Sequence, residues 1–106
     1  MITEDEIERH LDALERLGEK SAIARADADH ADQMLKTVYA HEYLKSDLPR
    51  TADREAAAYA SEAYKAALIE RRETFIAAEK MRHERAWRER IIDAWQTMSA
   101  NKRGKI

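Results

Sequence analysis

The sequence predicts an all-α protein: a long helical hairpin of coiled-coil character that assembles into an oligomer. Three observations lead there. Helix breakers are scarce, since the 106 residues hold two glycines, Gly18 and Gly104, and one proline, Pro49. Charged residues make up 38% of the chain and alanine is abundant, a composition that favours long helices. Apolar residues also recur at helical spacing on both sides of Pro49.

The first arm is expected over residues 4–45. It opens on a capping box, with Thr3 placed to accept from the backbone N–H of Glu6, and Ile2 and Ile7 stand at hydrophobic-staple spacing. A heptad follows, with Ile7, Leu14, Ser21, Ala28 and Leu35 at one position and Leu17, Ala24, Ala31 and Val38 at the other. Leu11 flanks this seam. Gly18 lies inside the pattern at a cost of about 1 kcal/mol against alanine, which is too little to end a helix. The middle of the seam, from Ser21 to Ala31, is small, so a partner helix can come close while burying little area.

An elbow is expected over residues 46–51. Pro49 disfavours helix at Leu48, and Ser46, Asp47 and Thr51 are turn or cap formers. Thr51 is the expected N-cap of "ADREAAAYA", and Ser61 is placed to cap a restart. The second arm then spans 52–99, with 52–60 a helix or helical turn and 61–99 one long helix. Residues 1–100 form a single helical domain on this reading. Residues 101–106, "NKRGKI", form a basic flexible tail, because Asn101 and Gly104 stop helices.

The apolar face of the second arm moves along its length. Tyr64, Leu68 and Phe75 share one stripe, whose continuation is Arg82, Glu89 and Asp93. A second stripe holds Ile69, Ile76, Trp87, Ile91, Ala94 and Met98, with Trp95 on its margin. Two stripes point to two partners, the first arm and another subunit; one wide buried face is the alternative. One phenylalanine, four tyrosines and two tryptophans give little bulk for a self-sufficient core. A homo-oligomer is therefore expected, with Ile76, Trp87, Ile91, Trp95 and Met98 at its interface.

Charge is distributed unevenly about the net value of −2. Residues 1–79 hold 18 acidic and 11 basic side chains, giving −7, whereas residues 80–106 hold 3 acidic and 8 basic, giving +5. Within the basic stretch "EKMRHERAWRERIIDAWQ", Arg82 and Arg85 project with Arg71 away from Trp87, and Arg88 lies beside them. Such a patch suits phosphates, whose counterions are released on neutralisation. It also suits a solvated face laced with Glu79, Glu84 and Glu89 at salt-bridge spacing. Trp87 and Trp95 share an aliphatic stripe, which reads as burial and not as a base-stacking platform.

Several classes are excluded or disfavoured. Without cysteine there is neither a disulfide framework nor a thiolate nucleophile. The acidic start "MITEDEIERH" is not a signal peptide, and no apolar run is long enough to span a membrane, so a cytoplasmic protein is expected. Asp27 with His30 and Glu79 with His83 stand one helical turn apart, but di-iron bundles need paired Glu-x-x-His motifs. No metal, cofactor or enzymatic activity is expected. Glycine loops, nucleophile elbows and triads are not represented, and a two-glycine hairpin offers no obvious pocket.

In layout the chain resembles small phage recombination mediators of the UvsY type. The likeness comprises an alanine-rich first helix ending in "MLKTVYAHEYLKSD", an elbow, a short polar helix, and a long final helix from "YASEAYKAAL" to "SANKRGKI". It covers most of the chain as spacing and residue type. The resemblance implies an all-helical oligomer that binds single-stranded DNA and helps load a RecA-like recombinase, in company with a single-strand-binding protein. It places DNA contact near the end of the first helix, at Lys36, Lys45 and Arg50, a segment interrupted here by His41, Glu42 and Asp47. The richer cationic segment is Lys80, Arg82, Arg85, Arg88 and Arg90, extended by Lys102, Arg103 and Lys105. The alternative is a structural or regulatory coiled-coil module that binds a protein partner without nucleic acid.

Overall fold

The computed structural model describes residues 2–104. These residues form three helices, α1 (Glu4–Lys45), α2 (Thr51–Ala60) and α3 (Glu62–Gly104), with no strand among them. None of the helices is long and apolar enough to cross a membrane. The described residues are all-α, as the composition predicts.

Helix α1 starts where the capping signal places it. The Glu6 N–H donates to Thr3 Oγ1 at 3.2 Å, and the Ile7 N–H donates to the Thr3 carbonyl at 3.1 Å. Glu4, Asp5 and Glu6 occupy the first turn, where negative charge meets the positive end of the helix dipole. The helix runs through Gly18 without a break. It stops at Lys45, and the elbow is residues 46–50, one residue shorter than expected. Ser46 organises it by accepting from the Leu48 N–H at 3.3 Å.

Thr51 is the first residue of α2 and not its cap. Arg50 takes the N-cap place with extended backbone, φ −91° and ψ 136°, and offers no side-chain acceptor. Pro49 and its restricted neighbours hold the chain extended up to Arg50, so helical geometry begins at once with Thr51. The Arg54 guanidinium reaches back to the Leu48 carbonyl and ties α2 to the elbow.

Ser61 separates α2 from α3. Its backbone is extended, φ −66° and ψ 148°. Its hydroxyl donates to the Ala58 carbonyl at 2.7 Å and accepts from the Tyr64 N–H at 3.2 Å. One side chain thus closes the last turn of α2 and caps the first turn of α3. At the other end α3 continues through Asn101 to Gly104, so residues 101–104 are helical where a flexible tail was expected. Lys102 and Arg103 lie in the last turn, where cations complement the negative end of the dipole, and Gly104 has no positive φ. Lys105 lies outside the described residues.

The helices pack into two compact units, Met1–Ile23 with Glu79–Ile106, and Ala24–Ala78. In the first unit the start of α1 runs antiparallel to the end of α3, burying Ile7, Ala13 and Ile92. In the second unit the rest of α1 runs antiparallel to the start of α3, with α2 packed alongside, burying Ala24, Ala31 and Ala58. On α1 the residues of the expected heptad from Ile7 to Val38 are all covered, and Ala13, which lies outside it, is buried as well.

Two outcomes follow. A Cβ at position 18 would meet nothing within 4 Å, so Gly18→Ala should stabilise the chain by about 1 kcal/mol. A thermal melt should show the midpoint rising by about 4–8 °C; a fall would mean that the helix pairs differently there. Ser61→Ala should cost about 1 kcal/mol through removal of the cap, read as a lower midpoint in the same melt.

Candidate nucleic-acid interface and apolar flank

In the first unit, the face of α3 turned toward α1 carries Met81, Arg85, Arg88, Ile92, Trp95 and Ser99, a regular three-and-four repeat of covered positions. Two of the arginines expected on a solvated face therefore lie in the helix seam. The Arg85 Nη1 donates to Ser21 Oγ at 3.4 Å. The Arg88 Nη1 lies 3.0 Å from His10 Nδ1 and its Nη2 donates to Glu84 Oε1 at 3.1 Å. A guanidinium can only donate, so His10 Nδ1 is the acceptor there and the ring proton sits on Nε2. The Arg88 side chain is only 20% exposed. Its guanidinium also lies 4.8 Å over the Trp87 ring, which meets His10 edge-on at 5.2 Å.

This placement corrects the expected one, and the physical reason is the small seam of α1. Ser21 leaves room beside Arg85, and arginine has an apolar stem to lay along a small seam while its head finds polar partners. The packed side of α3 is the one that carries Arg85, Arg88 and Ile92, with Trp87 on its margin against His10. The arrangement is not free of cost, because Nε of both Arg85 and Arg88 is buried without a hydrogen-bond partner.

The remaining cations of the segment differ. Arg82 holds Glu79 through two hydrogen bonds of 2.8 Å and 3.2 Å to Oε2, and His83 Nε2 lies 3.8 Å from the same oxygen. The Arg82 hydrogen bond keeps the Glu79 carboxyl below its ordinary value. Lys80, Arg90, Lys102 and Arg103 are exposed. Among the described residues no group of three or more histidine, aspartate and glutamate side chains is placed to hold a metal ion.

The apolar positions named for an interface are partly open. Trp87 is 43% and Met98 50% exposed, Ile76 is 37% exposed, and Ile91 and Trp95 are half-buried. Trp87 is thus less buried in the single chain than its aliphatic stripe implies. Leu68, Ile69 and Phe75 in the second unit are exposed as well.

In the second unit, Lys36 and Arg50 are exposed, and Lys45 pairs with Glu42 at 3.6 Å. Arg71 pairs with Asp32 at 2.9 Å. The pair borders an open cleft of about 550 Å³ lined also by Ala28, Asp29, Leu68, Arg72 and Phe75, so the hairpin does offer a pocket. A feature that sequence reasoning missed is the meeting of all four tyrosines. Tyr39 lies 4.8 Å from Tyr59 and 6.3 Å from both Tyr43 and Tyr64, and Tyr59 lies 5.3 Å from Tyr64. The available signal was their confinement to residues 39–64, bracketing the elbow.

If Arg85 serves packing, Arg85→Met should match or exceed the parent in thermal stability, since a flexible apolar chain fills the same space and removes an unpartnered donor. Arg85→Ala, which empties the space, should lower stability by about 1–2 kcal/mol. Equal melts for all three proteins would show that the seam does not depend on this side chain.

Compared with protein-family models, curated proteins and solved structures, the chain matches none.

Proposed function

We propose that this chain is a single-stranded-DNA-binding accessory of recombination, a mediator that helps load a RecA-like recombinase and acts as a cytoplasmic homo-oligomer. The observation that carries the reading is the set of exposed cations on the last part of α3, Lys80, Arg90, Lys102 and Arg103, in a stretch of net charge +5. Because α3 stays helical to Gly104, Lys102 and Arg103 lie on the same helix as Lys80 and Arg90. The layout shared with phage recombination mediators supports the same reading. Binding through phosphates alone would be indifferent to base sequence and steeply dependent on salt. One copy offers few such cations. Several copies on one strand would raise the effective affinity, because later copies bind a strand already tethered. In the first unit, Trp87, Ile91 and Met98 are the side chains through which copies would meet, since Trp95 lies on the face of α3 turned toward α1.

The test is binding of labelled single-stranded oligonucleotides at two salt concentrations. Replacing Lys80, Arg90, Lys102 and Arg103 together by alanine should weaken binding and reduce the salt slope by about one for each phosphate that is no longer neutralised. Arg85→Met should bind like the parent, since that guanidinium is held in the seam. Trp87→Ala should shift sedimentation toward monomer, a cost of about 2 kcal/mol or more for an interface anchor, and DNA affinity should fall with it.

A second reading has its own support. The inward turn of Arg85 and Arg88, together with the exposed Trp87 and Met98, favours a helical module that binds a protein partner without nucleic acid. A parent protein that fails to bind single-stranded DNA even at low salt would decide for it.

A further inference from the structure

We infer that Tyr59, with Tyr39, Tyr64 and Lys36, forms a stacking site for an unpaired base and its phosphate at the elbow end of the second unit. The inference rests on the single-stranded-DNA reading above, but it uses none of the α3 cations that carry that reading.

The site is built by the break at Ser61. Tyr59 stands in the last turn of α2 and Tyr64 in the first turn of α3, and the extended Ser61 between them sets the rings nearly perpendicular, at 82°. Tyr39 of α1 completes the group, tilted 42° to Tyr59. With Leu35 and Lys36 these rings line a cleft of about 190 Å³. That is small beside the roughly 300–1,000 Å³ of drug-sized ligand pockets, and it suits one flat ring.

A purely structural staple would account for aromatic clustering, but it would bury its rings. Tyr59 remains 56% exposed, while its neighbour Ala58 is fully buried and supplies the packing of α2. Tyr39 and Tyr64 are half-buried and hold Tyr59 in place. One ring open to solvent beside a cation is what stacking of a single base requires. Exposed ring faces also suit cationic ligands. Lys36 decides between the two, because an ammonium at the cleft repels a cation and attracts a phosphate. Loss of hydration and the nearby Glu55 carboxylate raise the Tyr39 hydroxyl above its ordinary value, so it stays a neutral donor across physiological pH. Glu55 opposes a phosphate on its own side, which leaves the Lys36 side as the path of the backbone.

The experiment uses the full chain and two labelled oligonucleotides, oligo-dT and an abasic strand with the same number of phosphates. Tyr59→Ala should lower affinity for oligo-dT by about 5- to 100-fold, the range seen for removal of one aromatic–base stack, and leave the abasic affinity unchanged. Tyr59→Phe and Tyr59→Trp should retain the parent's preference for oligo-dT. Lys36→Gln should weaken binding to both strands and lower the salt slope by about one. A melt checks that Tyr59→Ala is folded. Should it be destabilised, Lys36→Gln together with the abasic comparison on the parent carries the test. Equal binding of oligo-dT and the abasic strand by the parent, or an unaltered Tyr59→Ala, would overturn the stacking site while leaving phosphate binding intact. Failure of the parent to bind either strand would remove the DNA reading itself.

Discussion

The structure depends on how little the two long helices can bury against each other. Among the described residues six apolar side chains are buried; Ala13, Ala24, Ala31 and Ala58 are alanines, and only Ile7 and Ile92 are large. Small side chains allow close approach and many weak dispersion interactions, but each removes little apolar area from water. The larger apolar residues are distributed accordingly. Leu11, Ile23, Ile69, Phe75, Trp87 and Met98 all stay at least 40% exposed because the seam has no room that requires them. An outer apolar surface on this chain is a consequence of an alanine-built inner one.

The same constraint explains the arginines. Along a seam of small residues such as Ser21, a long, thin side chain fits better than a compact apolar one. Arg85 and Arg88 enter the seam with their stems, and their heads reach Ser21, His10 and Glu84. The unpartnered Nε atoms show that the fit is incomplete. The consequence for function is direct: the cationic stretch that looks uniform along the sequence is divided between guanidiniums held inside and charges left outside. Arg82 belongs to neither group fully, because Glu79 holds it at the surface.

Much of the fold was legible because local chemistry specifies it. The capping box at Thr3 and Glu6, the chain extended around Pro49, and the restart at Ser61 each act within four residues, and each appears where the sequence indicates. The small heptad of α1 was legible for a related reason, since one residue type repeats along one face. The packed face of α3 was not. Helical projection places Arg85 away from Trp87 with Arg88 beside it, but it cannot say which side meets α1, and arginine's double character defeats a count of apolar residues. The tail was misread because Asn101 and Gly104 are only weak stops, while Lys102 and Arg103 suit a helix end. The tyrosine group depends on three helices meeting, which no local window contains.

The division of charge also limits how nucleic acid could be engaged. A neutralised phosphate adds affinity in proportion to the counterions it releases, so guanidiniums already satisfied by protein groups contribute little beyond background field. With Arg85 and Arg88 committed to the seam, the outer cations of the first unit are few for tight binding by a single copy. On the proposed single-stranded-DNA reading, affinity would then come from repetition of the same sparse set, or from interactions of another kind. The exposed apolar flank makes the first possible, since it would let copies array their cations along one strand. The open tyrosine cleft makes the second possible, since stacking on neutral rings is far less sensitive to salt than phosphate binding. If the chain binds single-stranded DNA as proposed, a seam that consumes arginine leaves the aromatic cleft and the apolar flank as the surfaces from which the missing affinity would come.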